Sequence, residues 1–152
     1  MEQKSFIRDA VESDMDGLIG LLEQLFSIEK DFTFDPEKHR KGLKLMLDGC
    51  GKHRAVKVVL EKNKIVGMCT IQTRISTATG TIAAVIEDLV VDKECRGKGI
   101  GKILLKEINQ WAKKRDIRHL QLLADKNNTL GINFYKHEKW QTTDLVCLTQ
   151  KI

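Results

Sequence analysis

A single proline, no internal repeat and no low-complexity tract leave this 152-residue chain without a marked linker, so one domain spanning 1–152 is expected. No apolar run approaches the roughly 20 residues of a membrane span, and Met1-Glu2-Gln3-Lys4-Ser5 lacks the apolar core of a secretory signal. Cys50, Cys69, Cys95 and Cys147 are scattered without a C-x-x-C pair, so neither a zinc site nor a disulfide framework is indicated. The expectation is a soluble, cytoplasmic protein with reduced thiols, no metal and no membrane contact. The net charge of +5 comes from basic residues interleaved with acids. Lys113-Lys114-Arg115 reads as the solvated end of a helix, and no nucleic-acid partner is expected. With 41% hydrophobic residues the chain is long enough for one real core.

The informative stretch runs from the apolar segment Ala83-Ala84-Val85-Ile86-Glu87-Asp88-Leu89-Val90-Val91 through Arg96-Gly97-Lys98-Gly99-Ile100-Gly101-Lys102 into Ile103-Leu104-Leu105. Glycines let backbone approach a ligand, and the unpaired amides and dipole of a helix's first turn favour an anion. Arg96, Lys98 and Lys102 add positive charge. A dinucleotide fingerprint, G-x-G-x-x-G, fails here because its last glycine falls on Lys102 or Leu104. A P-loop fails as well, since Gly101-Lys102 is followed by Ile103 instead of Ser or Thr.

What fits is R-x-x-G-x-G at a strand-to-helix turn, which resembles the acetyl-coenzyme A pyrophosphate loop of the GNAT family of N-acetyltransferases. A second segment, Asn128-Thr129-Leu130-Gly131-Ile132-Asn133-Phe134-Tyr135-Lys136-His137, resembles that family's later motif. The likeness extends from Phe6-Ile7-Arg8-Asp9-Ala10 to Leu145-Val146-Cys147-Leu148. It implies acetyl-CoA as cosubstrate, pyrophosphate binding by Arg96, Gly97, Lys98, Gly99, Ile100, Gly101 and Lys102, pantetheine pairing with the main chain of Leu89, Val90 and Val91, and a pantetheine contact from Asn128. The acceptor is an amine, small or protein-borne, and a homodimer stands among the expected assemblies. A non-catalytic acyl-CoA binding or sensing module is the alternative. One departure is Lys139-Trp140, where the family usually has a Gly-aromatic pair.

A pass along the chain places these motifs. A strand at Phe6 to Ala10 precedes a helix read from Met15, Leu18, Ile19, Leu22, Leu25 and Phe26, with Ser13 and Asp16 as a capping box. Asp35-Pro36 starts a second helix, which Gly49 to Gly51 ends. Phe32 and Phe34, between the two, are either core plugs or pocket walls. Arg54 to Glu61 and Ile65 to Arg74 are strands joined by Lys62-Asn63-Lys64. Thr81 to Val91, Ile100 to Lys114, His119 to Ala124 and Thr129 to His137 follow as strand, helix, strand and helix, and Trp140 to Thr149 reads as a closing pair of strands. The fold class is α/β, and the resemblance implies a mixed, largely antiparallel central sheet with flanking helices, its strands four and five splayed apart.

Transfer to an amine needs a proton acceptor, because the amine arrives largely as ammonium. Glu87 is the candidate, since charged side chains seldom interrupt an apolar strand without pairing or function. Strand alternation predicts that Glu87 and Asp88 point to opposite sides. Tyr135, with an ordinary pKa of about 10, stays protonated and is the candidate donor to the departing thiolate.

Overall fold

The structure is a computed structural model that describes residues 4–152. It resolves into two compact units, one running to Leu122 and the other comprising Leu123–Ile152.

In the first unit a five-stranded sheet is ordered as in the chain: β1 (Phe6–Asp9), β2 (Arg54–Glu61), β3 (Lys64–Ser76), β4 (Thr81–Val91) and β5 (Leu120–Leu122). The first four pair antiparallel and β5 joins β4 in parallel. Lys62 and Asn63 both have positive φ, 49° and 62°, and close a two-residue turn between β2 and β3 whose twist matches that of the strands.

Three helices cover this sheet. The helices α1 (Met15–Ile28) and α2 (Pro36–Asp48) pack on the face that carries Val56, Val58, Met68 and Val90, forming a core with Leu18, Leu21, Leu22 and Leu43. Asp35 caps α2 by accepting from the Lys38 N–H at 3.2 Å, with Pro36 at the first helical position. The expected Ser13–Asp16 box does not form. Asp14 organises the entry to α1 instead, holding the Val11 N–H at 2.8 Å and Arg8 through both oxygens at 2.6 and 3.0 Å.

The helix α3 (Ile100–Lys113) lies on the opposite face, and its Ile100 and Leu104 approach Gly67 so closely that a Cβ there would stand 2.9 Å from Ile100. On that face Lys57 bridges Asp9 at 2.7 Å and Glu107 of α3 at 3.2 Å. The basic run at the end of α3 is not wholly solvated as expected. Arg115 stacks 4.1 Å over the Trp111 ring and donates to the carbonyls of Gly51 and Lys52, because a guanidinium can satisfy a ring face and two carbonyls together.

The second unit contains α4 (Thr129–His137), opened by Asn128, whose side-chain oxygen accepts from the Gly131 N–H at 3.1 Å. Among the described residues no strand follows β5. The expected closing strands at Trp140 to Thr149 have no ladder and no regular secondary structure, and Leu145, Val146 and Leu148 are exposed. β-propensity makes a segment suitable for pairing, but a strand exists only when a neighbouring edge is present. Among the described residues no helix is long and apolar enough to cross a membrane.

Candidate active site

The parallel ladder between β4 and β5 joins only Ala84–Leu120, Val85–Gln121 and Ile86–Leu122. From Glu87 to Val91 β4 continues without a β5 partner among the described residues, in agreement with the splay that the resemblance implies. Leu89, Val90 and Val91 stay paired on their other side with Cys69, Met68 and Gly67 of β3. Their main chain therefore presents one occupied and one unladdered edge.

The splay begins at a β-bulge. Ile71 pairs with Ile86 and Cys69 with Leu89, so the single residue Thr70 opposes both Glu87 and Asp88. The bulge cancels the alternation expected of a regular strand. Instead of pointing to opposite sides, the two acidic residues share the side of Thr70, whose β2 neighbour Val56 belongs to the α1–α2 core. Thr70 fixes Asp88 twice: its hydroxyl donates to Asp88 Oδ2 at 2.9 Å and accepts from the Asp88 N–H at 3.0 Å. Burial pushes the Asp88 carboxyl above its ordinary range and the neighbouring Glu87 charge adds to this, with the Thr70 hydroxyl and His39 acting the other way. Glu87 is exposed. Cys69, beside the bulge, is fully buried, and its thiol is pushed far up by that burial, which keeps it protonated and non-nucleophilic.

Beyond Val91, Asp92 accepts from the Glu94 N–H at 3.0 Å and turns the chain through a single 3-10 turn, Lys93–Cys95, with Cys95 buried. Arg96 then donates from Nε to the Val91 carbonyl at 3.1 Å, tying the loop to the end of β4. Gly97 and Gly99 follow with φ of +77° and +81°, a backbone that side chains resist. A Cβ built on either meets nothing within 4 Å, so open space, not protein packing, faces these glycines. Gly99 is the N-cap of α3, and Ile103 is the first residue to donate back to it. The N–H groups of Ile100, Gly101 and Lys102 therefore have no intrahelical acceptor, and the exposed Lys98 and Lys102 add charge. The loop fits a pyrophosphate: it is open, amide-rich and basic.

In the second unit Tyr135 lies on α4, with Phe134 at 5.3 Å and Trp140 at 6.0 Å between ring centroids. The helix ends in a Schellman motif, where the Trp140 N–H reaches the Tyr135 carbonyl at 2.9 Å and the Lys139 N–H that of Lys136 at 3.0 Å. Lys139, which stands where the resembled motif has glycine, keeps the left-handed turn with φ of +68°. Asn128, expected at the pantetheine, is a helix cap through its oxygen.

The sequence pattern of the acetyltransferase (GNAT) family matches residues 22–138. The chain belongs to this family. An uncharacterized N-acetyltransferase of Methanocaldococcus jannaschii is 35% identical over 63 residues, which are 41% of this chain and 28% of that relative, so the chain spans little of its length. Among solved structures, the aminoglycoside N-acetyltransferase AAC(6')-Iy in complex with CoA superposes with a TM-score of 0.84 at 17% identity, over 99% of this chain and 97% of that one. An aminoglycoside acetyltransferase from an uncultured soil metagenomic sample superposes with a TM-score of 0.77 at 27% identity, again over 99% and 97%. A transcriptional regulator from Bacillus halodurans C-125 superposes with a TM-score of 0.83 at 24% identity, over 98% of this chain and 100% of that one.

Sequence reasoning missed the bulge, and with it the Thr70–Asp88 pair, because nothing in Glu87-Asp88 signals an extra residue in a ladder. The partner of an acidic side chain 18 positions away is set by register alone.

Proposed function

We propose that the protein is an acetyl-CoA-dependent N-acetyltransferase that passes the acetyl group directly to a bound amine. The observation that carries the reading is the open, left-handed Gly97–Gly99 loop at the N-terminus of α3. Its amides and Arg96, Lys98 and Lys102 hold the pyrophosphate, and the unladdered edge of Leu89, Val90 and Val91 aligns the pantetheine arm. Glu87 removes the ammonium proton directly or through water, giving the neutral amine whose lone pair attacks the acetyl carbonyl. Tyr135 delivers a proton to the sulfur as the thiolate departs, and Asn128 steadies the pantetheine arm. The nitrogen, cationic after the attack, gives its second proton to the Tyr135 oxygen directly or through water, which restores the phenol, and no metal or covalent enzyme intermediate is required.

A homodimer in the cytoplasm belongs to the same reading, and light scattering tests its stoichiometry. The central test is thiol release from acetyl-CoA across an amine library, together with thermal shifts. A ligand at ~100 times its dissociation constant stabilises the folded state by about 2.7 kcal/mol. CoA and acetyl-CoA raise Tm and NAD and ATP do so far less. Equal shifts with NAD refute the cofactor assignment, and CoA binding without release to any amine identifies a non-catalytic acyl-CoA module.

A further inference from the structure

The bulge aims its two acidic residues at the side of the sheet where α1, α2 and the connection between them carry four rings. Phe26 lies 4.7 Å from His39 and 5.4 Å from Phe32, and Phe34 lies 5.3 Å from His39, all between centroids. Phe26 and Phe34 rest against the core, but Phe32 is 59% exposed. Phe32 is therefore not a core plug. The Asp35 N–H donates to His39 Nε2 at 2.9 Å and fixes the ring in place. His39 is also among the groups that act on the Asp88 carboxyl, which places the two near one another. Rings and carboxyls thus border one region of the first unit.

We infer that the acceptor is a primary amine carried on an aromatic arm, with its ammonium at Glu87 and Asp88 and its arm against Phe26, Phe32, Phe34 and His39. This rests on the N-acetyltransferase reading and names its substrate class. The charges select against the other amines. Between Glu29 and Asp35 the connection carries Glu29, Asp31 and Asp35 against one cation, Lys30. On α2, Lys38 pairs with Asp35 at 3.6 Å and Arg40 with Asp16 at 2.8 Å. An amino acid bound by its ammonium at Glu87 and Asp88 would bring its own carboxylate close to theirs. A polyhydroxylated amine would set its hydroxyls on ring faces that return few hydrogen bonds, whereas a flat apolar arm stacks on them.

The experiment uses the full chain saturated with CoA, titrated calorimetrically with 2-phenylethylamine, n-butylamine and sisomicin, with thiol release from acetyl-CoA followed in parallel. The expected result is binding of 2-phenylethylamine about tenfold or more tighter than n-butylamine, from ring stacking. Phe32→Ala, at an exposed position, and Phe34→Leu reduce that preference and leave CoA affinity unchanged. Equal binding of the two simple amines, tighter binding of sisomicin, or a preference that survives both substitutions overturns the acceptor class. Preferential binding of 2-phenylethylamine without thiol release upholds the aromatic-amine site and refutes the enzyme reading instead.

Discussion

The Trp140 indole meets the Tyr135 ring edge-on, its centroid 6.0 Å away and the two planes at 64°, and the same two residues share the 2.9 Å hydrogen bond that ends α4. The helix terminator therefore also holds the candidate acid, since an apolar contact between these two positions is a usual companion of the Schellman motif.

Lys139 sits between them at φ +68°, where a side chain costs about 1–2 kcal/mol that glycine does not. Part of that gain is offset by the greater freedom of glycine in the unfolded chain. Lys139→Gly is expected to raise stability by about 0.5–1 kcal/mol, measured by urea denaturation. A loss of stability would mean that the lysine side chain makes a compensating contact.

Tyr135→Phe keeps the ring against Trp140 and removes only the hydroxyl. Turnover is expected to fall by ~100-fold or more with CoA affinity nearly unchanged, because the proton is needed chiefly in the transition state. An unchanged kcat, with chemistry rate-limiting, removes Tyr135 from the mechanism.

Glu87→Gln separates proton removal from charge attraction. If Glu87 is the base, the acid limb of the kcat/KM profile flattens or shifts and higher pH partly restores the variant by supplying neutral amine. If it only attracts the cation, acceptor KM rises with little change in kcat. Movement of neither leaves proton removal to Asp88 or water.

Asp88 gives a pH signature of its own. Its folded pKa is raised, so it favours the folded state while protonated, and that contribution is lost as pH rises from the unfolded pKa of about 3.9 through the folded value. Asp88→Asn cannot ionise and still accepts from Thr70. The Tm difference, variant minus wild type, is expected to grow more positive across that interval. A difference independent of pH would show that the carboxyl is not desolvated in the folded state.

Gly99→Ala and Gly42→Ala should have opposite signs. Gly99 stands at φ +81°, where a Cβ strains the backbone by about 1–2 kcal/mol and disturbs the amides proposed to hold the pyrophosphate, so both stability and CoA affinity are expected to fall. Gly42 is an exposed position within α2 with nothing within 4 Å of an added Cβ, and alanine there should add about 0.5–1 kcal/mol without touching CoA binding. Denaturation and isothermal titration of the two variants make the comparison.

Local signals in the sequence determined most of the elements. Asp35-Pro36 started α2 and Asn128 opened α4, because caps and prolines act within one helical turn. The run from Thr81 to Val91 became β4, and Arg96 to Gly101 became the expected glycine-rich turn, left-handed at Gly97 and Gly99. Tertiary structure alone decided what depends on register and on distant edges. The bulge opposite Thr70 turned Glu87 and Asp88 to one side, since ladder register is settled by the packing of whole strands. His39 reached the same side because α1 and α2 pack on that face. Trp140 to Thr149 had the composition of strands and formed none, since the hydrogen bonds of a strand lie between segments and a sequence of suitable residues does not provide the second one.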